Sequence, residues 1–374
     1  MKKIKTYLLL LFLITILFTA CLTPPPINKN IVRGNINIPD LDGFITLKCD
    51  FHMHSVFSDG IVWPTTRVNE AFREGLDAIA ITEHIEKNYR SNTTLRKYSH
   101  NRAYEIANEY AATRDIIVIR GSEITRKMPP GHHNAVFLTD ADELDTPIFL
   151  DAFKAARAQK AFLFWNHPGW KRQQPKTTLW WTEHTQLLEM DLMHGIEVVS
   201  EYYYYPEAHQ WCIDHKLTML GNSDIHVYMP VYKKGKHRAM TLVFARERSS
   251  QAIYEALFER RTVVYYKDLL IGEERYLREL FEKSVDINIT RTDNTTNITF
   301  KNKTDLVFNL RDGDQGSQKK YFQNINFTPY VIERQRTKTI TFILNDETEN
   351  VKFYFLAENL LVAPGEGLRF TVEI

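Results

Sequence analysis

The chain has 374 residues, of which 44% are hydrophobic, and its formal net charge at pH 7 is +1. This size and apolar content suffice for one or two hydrophobic cores. The near-neutral charge argues against a general polyanion binder, so no nucleic-acid partner is expected. Three cysteines are too few for a disulfide framework. We expect Cys49 and Cys212 to be buried thiols, with a single disulfide between them as the alternative.

The first residues are typical of a targeting segment. Lysines precede an apolar stretch from Tyr7 to Phe18, and small residues then precede Cys21, as in bacterial lipoprotein signals. We expect a signal peptide over residues 1–21 with lipidation of Cys21; a plain signal peptide or membrane anchor is the alternative. Residues 22–43 are expected to be a linker, which begins with a stiff Pro-rich stretch. The lipid would anchor the protein in the cell envelope, and the periplasmic face of the outer membrane is favoured.

After this linker, strand-like apolar runs alternate with amphipathic helical stretches, which is typical of parallel βα units. The predicted strands are Phe44–Leu47, Asp77–Thr82, Ile116–Arg120, Asn134–Leu138, Ala161–Trp165, Gly195–Ser200, Leu217–Leu220 and Met240–Phe244. The predicted helices are Thr66–Glu74, His100–Thr113, Asp151–Gln159 and Ser249–Arg260. Residues 44–284 are therefore expected to form a closed or nearly closed βα barrel. Short strands with hydrophilic turns in residues 285–374 indicate a small β-sandwich.

The first predicted strand leads into a pair of histidines, His52 and His54. Residues two apart in a strand point to the same face, so both imidazoles can bind one metal ion. Asp59 follows in a Ser-Asp-Gly turn and can bend back as a further ligand. Asp224 and His226 repeat the same spacing after a later strand. Both pairs therefore predict metal ligands at the edge of the barrel.

Other ligand-type residues follow other predicted strands, at the strand ends where barrel folds assemble their active sites. His84, Glu123 and His167 lie at such ends, and either His132 or His133 precedes a further strand. Glu123 has two carboxylate oxygens and can bridge two metal ions. A mixed set of imidazoles and carboxylates suits Zn, Mn or Fe better than Ca or Mg. The remaining histidines are expected to be ordinary core or surface groups.

The succession of motifs resembles the PHP family, named for polymerase and histidinol phosphatase domains. The motifs occur in the family's order between Leu47 and Tyr266. They are HxHSxxSDG at His52–Gly60, TEH at Thr82–His84, GSE at Gly121–Glu123, GHxNA at Gly131–Ala135, NHPG at Asn166–Gly169 and SDIH at Ser223–His226. Within the family, the stretch Glu123–His132 is most similar to secreted phosphodiesterases that act on organophosphate diesters.

This resemblance implies an α/β fold, a distorted (βα)7 barrel that holds two or three divalent metal ions. Carried over residue by residue, the first metal would be bound by His52, His54, Glu123 and Asp224, the second by Glu123, His132 and His167, and the third by Asp59, His84 and His226. The family motif has its histidine directly after the glycine, which favours His132 over His133, and strand alternation agrees. Asp59 stands where many relatives have a histidine, so a two-metal form is the alternative.

The charge of such a site predicts its chemistry: three divalent ions carry about +6 and Asp59, Glu123 and Asp224 return only about −3, so the site would attract a phosphate ester. A hydroxide that bridges the metals would attack the phosphorus of a small-molecule phosphate ester. Glu123, Asp224 and His226 are expected at the reacting centre. We expect a phosphodiesterase. The alternatives are a phosphomonoesterase for a nucleotide or sugar phosphate, a hydrolase of carboxylic esters or amides, and a non-catalytic substrate-binding lipoprotein.

Two sets of residues bear on the choice between diester and monoester. The aromatic residues Trp170, Trp180-Trp181 and Tyr202–Tyr205 could surround the second organic group of a diester, or pack between the loops and the barrel. Arg126 and Lys127 could contact the free oxygens of a monoester instead. The diester is favoured. The sequence leaves the oligomeric state open.

Overall fold

The computed structural model describes residues 31–86, 99–231, 236–292, 295–313, 329–343 and 352–373. The predicted signal peptide, Cys21 and the start of the linker lie outside these ranges. Within them, the chain forms a 15-stranded mixed sheet and a 3-stranded sheet. No helix in this part of the chain is long and apolar enough to cross a membrane.

The elements follow one another as strands interspersed with helices. The strands are β1 (Ile45–Asp50), β2 (Ala78–Ile81), β3 (Ile117–Thr125), β4 (His132–Val136), β5 (Phe162–Trp165), β6 (Gly195–Ser200), β7 (Tyr203–Tyr204), β8 (Thr218–Asn222), β9 (Met240–Ala245), β10 (Thr262–Tyr266), β11 (Leu269–Gly272), β12 (Val285–Thr292), β13 (Thr295–Asn302), β14 (Phe308–Asp312), β15 (Tyr330–Ile332), β16 (Thr337–Ile343), β17 (Lys352–Ala363) and β18 (Glu366–Glu373). The helices are α1 (Pro64–Glu74), α2 (Arg102–Ala111), α3 (Phe149–Ala158), α4 (Thr182–Glu189), α5 (Pro206–His215), α6 (Ser250–Phe258) and α7 (Glu274–Ser284).

The strands of the barrel around the predicted ligands lie in the order β9-β1-β2-β3-β4-β5-β6, and β8 pairs with β6. The pairs β1/β2, β2/β3, β5/β6 and β6/β8 are parallel. In contrast, β4 is antiparallel to β3 and β5, and β9 is antiparallel to β1. The predicted α/β barrel is confirmed, but the purely parallel βα pattern is wrong at these two strands.

The direction of β4 follows from the short connection before it. Only residues 126–131 separate β3 from β4. A parallel crossover needs a dozen residues or more, so this connection can only turn the chain back. An antiparallel strand begins where its parallel neighbours end. His132, the first residue of β4, therefore lies at the same edge as the carboxyl ends of β1, β2 and β3.

Threonine side chains join β8 to β9 and β10. The Thr241 hydroxyl donates to the Gly221 carbonyl and accepts from the Gly221 amide, both at 3.0 Å. Thr262 donates to the Met219 carbonyl at 2.9 Å. A Cβ at position 221 would lie 2.4 Å from Cγ1 of Val264, so only glycine permits this approach. These contacts bring β8, with the Asp224 segment that follows it, against the other side of the barrel.

The barrel is filled by apolar side chains below the edge where the predicted ligands lie. Phe51, Phe162, Phe164 and Phe244 are among its largest fully buried side chains. Cys49 and Cys212 are buried free thiols, as predicted, and burial raises the pKa of both. A close-packed interior of this kind holds the strand ends in fixed positions.

The C-terminal β domain shares its sheet with the barrel. Its first strand, β12, pairs with β13, and β13 pairs with β16. The facing sheet contains β14, β15, β17 and β18, and β17 also pairs in parallel with β11 at Leu270–Leu360 and Ile271–Leu361. Buried residues such as Phe300 and Phe353 belong to the core between them. The predicted small β domain is confirmed, and it is joined to the barrel by a continuous sheet.

Candidate metal centre

The carboxyl edge of the barrel brings all nine predicted ligand residues together. They form three groups in which the candidate ligand atoms lie within 4.8 Å of one another. The first group is His52, His54, Glu123 and Asp224; the second is Glu123, His132 and His167; the third is Asp59, His84 and His226, with His54 beside it.

The first group presents four ligand atoms to one point. The Nε2 atoms of His52 and His54 are 3.1 Å apart, and each lies 3.1 Å from Oε2 of Glu123. Oδ1 of Asp224 lies 3.1 Å and 3.3 Å from the same two nitrogens. Metal–ligand bonds of about 2.0–2.2 Å place tetrahedral ligands roughly 3.4 Å apart, so these spacings fit an ion at the centre.

Glu123 connects the first group to the second. Its Oε2 faces the first group, whereas its Oε1 lies 2.6 Å from Nδ1 of His132. The rings of His132 and His167 have their centroids 5.0 Å apart. One carboxylate therefore offers one oxygen to each group, which is the arrangement that a bridging ligand requires.

The third group is built around Asp59. Its Oδ1 lies 3.2 Å from Nε2 of His84 and 3.1 Å from Nε2 of His226. A Cβ at Gly60 would lie 2.7 Å from the His54 carbonyl, so this glycine lets the turn fold back onto His54. A neutral imidazole has one lone pair, and Nε2 of His54 faces the first group. The third group therefore has three ligands of its own.

Hydrogen bonds behind the histidines fix their ring orientation. Nδ1 of His52 lies 2.9 Å from Glu197, and Nδ1 of His84 lies 2.5 Å from the Thr125 hydroxyl. Nδ1 of His226 donates to the carbonyl two residues before it, at 2.8 Å. A ring that donates through Nδ1 keeps the lone pair of Nε2 for a metal. In all three rings, Nε2 is the nitrogen that faces the other ligands of the ring's own group.

Sequence reasoning missed Glu197, which lies directly behind the first and second groups. Its carboxylate accepts hydrogen bonds from His52, from the Asn222 amide at 2.9 Å and from the His167 backbone amide at 2.8 Å. Glu197 is fully buried in β6. The signal that could have identified Glu197 is its position inside the apolar run Gly195–Ser200. Glutamate is rarely buried in a strand unless its charge has a partner.

A second buried carboxylate, Glu83, holds the chain between His54 and Asp59. It accepts hydrogen bonds from the Ser55 amide at 2.9 Å and from the hydroxyls of Ser55 and Ser58. The Ser58 hydroxyl also lies 3.2 Å from Nδ1 of His54. His54 is therefore oriented by Glu83 through a serine, much as His52 is oriented by Glu197 directly.

The atoms that would bind ions also bind protons. Burial raises the pKa of Asp59, but contacts with His226 and His84 outweigh it and hold this pKa well below its usual range. Burial lowers the pKa of His54, but the two carboxylates of the first group raise it to about 10. Protons and metal ions therefore compete for the same nitrogens, as expected of a metal site.

The donor set fits divalent transition metals. Oδ1 of Asp59 and Oδ1 of Asp224 are buried and accept no hydrogen bond from any described residue, although histidine nitrogens lie 3.1 Å away. A buried charged oxygen without a hydrogen bond is costly unless a cation compensates it. Asp224 and His167 also have φ angles of 46° and 30°, a strained conformation that is common at functional sites. Mixed nitrogen and oxygen ligands suit Zn, Mn or Fe.

The structure separates His132 from His133. His132 lies against Glu123, whereas His133 packs between Phe153 and Trp165, with ring centroids 4.9 Å and 6.2 Å away. Burial lowers the pKa of His133 well below its usual range, so its ring is neutral. His132 therefore faces the ligand groups, and His133 belongs to the apolar core.

Two cavities adjoin the ligand groups. The larger, of about 660 Å³, is bordered by all three groups. Its other walls include Trp170, Lys171, Arg172, Glu201, Tyr203, Tyr204 and Tyr205. The smaller, of about 440 Å³, has mainly apolar surface, with Tyr202, Val227 and Tyr266 in its lining, although Lys236, Arg238 and Lys267 also border it. Glu201, Asp224 and His226 border both cavities.

Two predictions about the cavity walls are wrong in part. Arg126 forms an ion pair with Glu86 at 3.2 Å and donates to the Thr146 carbonyl, so it does not line the larger cavity. Lys127 and Trp180-Trp181 do not line it either. Trp180 stacks on His215 instead, with ring centroids 4.6 Å apart. Sequence alone could not distinguish these side chains from Trp170 and the tyrosines, because the difference depends on long-range packing.

The chain matches two family models. Residues 50–216 match the PHP domain, and residues 282–373 match an Ig-like domain. The search of curated proteins found no match.

One solved structure shows the same two-part organisation. A crystal structure from Bacteroides vulgatus, described as a two-domain protein containing a predicted PHP-like metal-dependent phosphoesterase, is 47% identical in sequence. The match covers 91% of this chain and 99% of that one, with a TM-score of 0.86. A candidate metal-dependent phosphoesterase from Bifidobacterium adolescentis is 18% identical, over 50% of this chain and 90% of its own, with a TM-score of 0.38. An amidohydrolase from Chromobacterium violaceum is 16% identical, over 48% and 87%, with a TM-score of 0.36.

Proposed function

Because this chain belongs to the PHP domain family, we propose that it is a metal-dependent phosphodiesterase that hydrolyses a small organic phosphodiester to a monoester and an alcohol. The stretch Glu123–His132 supports its assignment to the secreted branch that acts on organophosphate diesters. The three ligand groups would hold two or three divalent ions, with Zn, Mn and Fe as the candidates.

The observation that carries the choice of a diester is the pair of cavities. Both are bordered by Asp224 and His226, so a phosphate held at these residues would have a cavity available for each of its two organic groups. A monoester has one organic group and would leave the apolar cavity of about 440 Å³ without a use. Lys171 and Arg172 border the larger cavity and are exposed. They are the features that favour the alternative, a phosphomonoesterase.

Ions held by the three groups would supply a water of lowered pKa and positive charge for the phosphoryl oxygens. The residues of the chain provide the rest. Glu123 sets the spacing between the first and second groups, and Glu197 holds the proton on Nδ1 of His52. Trp170 covers His132 and His167, with ring centroids 5.5 Å and 5.3 Å away, and so excludes water from that side of the second group.

Hydrolysis of three chromogenic substrates tests this proposal. The protein from Asn28 onward is freed of metals with a chelator, reloaded with Zn, Mn or Fe, and assayed with bis(p-nitrophenyl) phosphate, p-nitrophenyl phosphate and p-nitrophenyl acetate. We expect the diester to be hydrolysed fastest, and activity to disappear after chelation and in Asp224→Ala. Faster turnover of the monoester would favour the phosphomonoesterase. No turnover with any of the metals would favour a non-catalytic binding lipoprotein.

We propose in addition that Cys21 is lipidated and anchors the protein to the cell envelope, with the periplasmic face of the outer membrane favoured. The small residues before Cys21 support this assignment. Labelling with a fatty-acid analogue in bacterial cells tests it. Label in the wild type but not in Cys21→Ala is expected, and equal labelling of the two would contradict it.

A further inference from the structure

A buried arginine on α1 joins the two segments that carry most of the ligands. Arg67 has an exposed fraction of 0%. Its guanidinium donates to the carbonyl of His54 at 2.9 Å, to that of Ile225 at 3.1 Å and to that of Val227 at 2.8 Å. Two of these carbonyls belong to the residues on either side of His226. Arg67 therefore contacts the backbone at both ligand pairs.

Glu70, one helical turn further along α1, completes this contact. One of its oxygens accepts from Arg67 at 2.8 Å, and the other accepts from the Met229 amide at 2.8 Å. The charge of each buried side chain is thereby compensated. Most of the chain from Ser223 to Met229 lies outside regular strands. Its backbone groups are bonded partly by other backbone groups, at the Ile225 and His226 carbonyls, and partly by side chains such as these.

We propose that Arg67 and Glu70 are a positioning pair that sets His226 opposite Asp59 and thereby determines metal affinity at the third group. The inference rests on the proposed function, because it assumes that the groups bind ions. Neither residue is a ligand in the three groups or lines the larger cavity, so the pair acts through the segment that it holds.

The third group depends on this pair more than the second does. His226 has a side chain that is 30% exposed, and Asp59 lies in a turn, so neither has the support of a regular strand. Glu123 and His132 lie in β3 and β4, and Arg67 makes no hydrogen bond to either residue. Loss of the pair should therefore empty the third group before the second.

Lysine cannot replace Arg67 here. Three carbonyls at different positions are reached by the planar fork of a guanidinium, whereas an ammonium group is a compact point charge on a flexible stem. Arg67→Lys keeps the positive charge but removes the planar group that donates to all three carbonyls at once. Glu70→Gln is a milder second variant, because it keeps the shape and removes the charge that faces Arg67.

A matched control is available in Arg261. It is also buried, at 3% exposed, and donates to the Phe244 carbonyl in β9 at 3.0 Å. Like Arg67 it pairs with a nearby glutamate, Glu259. Arg261→Lys thus removes a buried guanidinium with similar partners from a part of the barrel that carries no predicted ligand.

The test measures bound metal per chain by elemental analysis after loading with Mn or Zn and dialysis, and thermal unfolding in parallel. We expect Arg67→Lys and Glu70→Gln to retain one ion fewer than the wild type, with affinity at that site weakened by about 10- to 100-fold. Arg261→Lys should lower the unfolding temperature without losing an ion. In an Asp59→Asn background, Arg67→Lys should remove no further ion, because both changes act on the same group.

The outcomes separate this inference from the proposed function. A wild type that binds ions, together with Arg67→Lys and Glu70→Gln variants that bind them equally tightly, overturns the inference alone. Equal loss of ions in Arg261→Lys also overturns it, because the effect would then follow from general destabilisation. A wild type that binds no ion overturns the proposed function and the inference with it.

Discussion

The carboxylate of Glu197 lies 2.9 Å from Nδ1 of His52, and both side chains are fully buried. This contact leaves Nε2 of His52 facing Glu123 and Asp224. A strand that contributes no ligand, β6, therefore orients a ligand of the first group. Partners of this kind raise the basicity of a metal-bound imidazole and fix its tautomer.

Replacing Glu197 with glutamine should weaken metal binding at the first group. The amide oxygen can still accept a hydrogen bond from His52, but the negative charge that favours the donating imidazole is lost. We expect affinity to fall by about 10- to 100-fold, as for other partners of metal-bound histidines. Competition with a chelating dye measures it. Glu189→Gln, at an exposed position of α4, is the control. Unchanged affinity in Glu197→Gln would show that His52 does not depend on this carboxylate.

Adjacent histidines in β4 should respond in opposite ways to the same substitution. His132→Phe should lose the ion of the second group, because its Nδ1 lies 2.6 Å from Glu123. His133→Phe should keep every ion, because His133 packs against Phe153 and Trp165. Its ring nitrogens form no hydrogen bond with the described residues, so an apolar ring should leave the free energy of unfolding unchanged or raise it by about 1 kcal/mol. Metal content and urea unfolding of both variants check this. Metal loss in His133→Phe alone would reverse the assignment.

Most of the candidate site could be predicted because its ligands follow strands at regular positions. His52 and His54 share one face of an extended segment, and Asp224 and His226 repeat the spacing. Glu197 and Arg67 could not be assigned in the same way. Their roles depend on contacts between residues far apart in the chain, and no local pattern encodes such contacts.

The fold could be predicted to a similar extent. The barrel and the β domain follow from alternating apolar runs, whereas the pairing of β11 with β17 joins segments far apart in sequence. Helix α7 was missed, although Leu277, Leu280 and Phe281 have helical spacing and are buried. Charged residues alternate with these apolar ones along the sequence and lie on the opposite face of the helix. The helix is therefore amphipathic, which is evident once its apolar face is seen packed against the core.

Asp59 determines whether the centre holds three ions or two. Asp59→Ala removes the oxygen that lies 3.1–3.2 Å from His84 and His226. We expect one ion per chain to be lost while the ions bridged by Glu123 remain, because neither of those groups contains Asp59. Elemental analysis of the loaded variant measures this, and Asp115→Ala, at an exposed aspartate, is the control. Loss of all the ions would mean that the groups bind cooperatively. Loss of none would mean that the centre normally holds two.

His184 should make stability depend on pH without any involvement of the ligand groups. Its Nδ1 accepts from the Trp181 amide at 3.0 Å and its Nε2 donates to the Pro130 carbonyl at 2.7 Å, so the ring fits only when it is neutral. Burial lowers its pKa from 6.5 to about 4. As the pH falls, the unfolded chain therefore binds a proton at His184 before the folded chain does. The contribution of His184 to the free energy of unfolding is complete above about pH 6.5 and declines toward pH 4 by on the order of 3 kcal/mol. Urea unfolding at several pH values should show a shallower decline in His184→Gln than in the wild type. A wild-type slope in His184→Gln would refute the assignment.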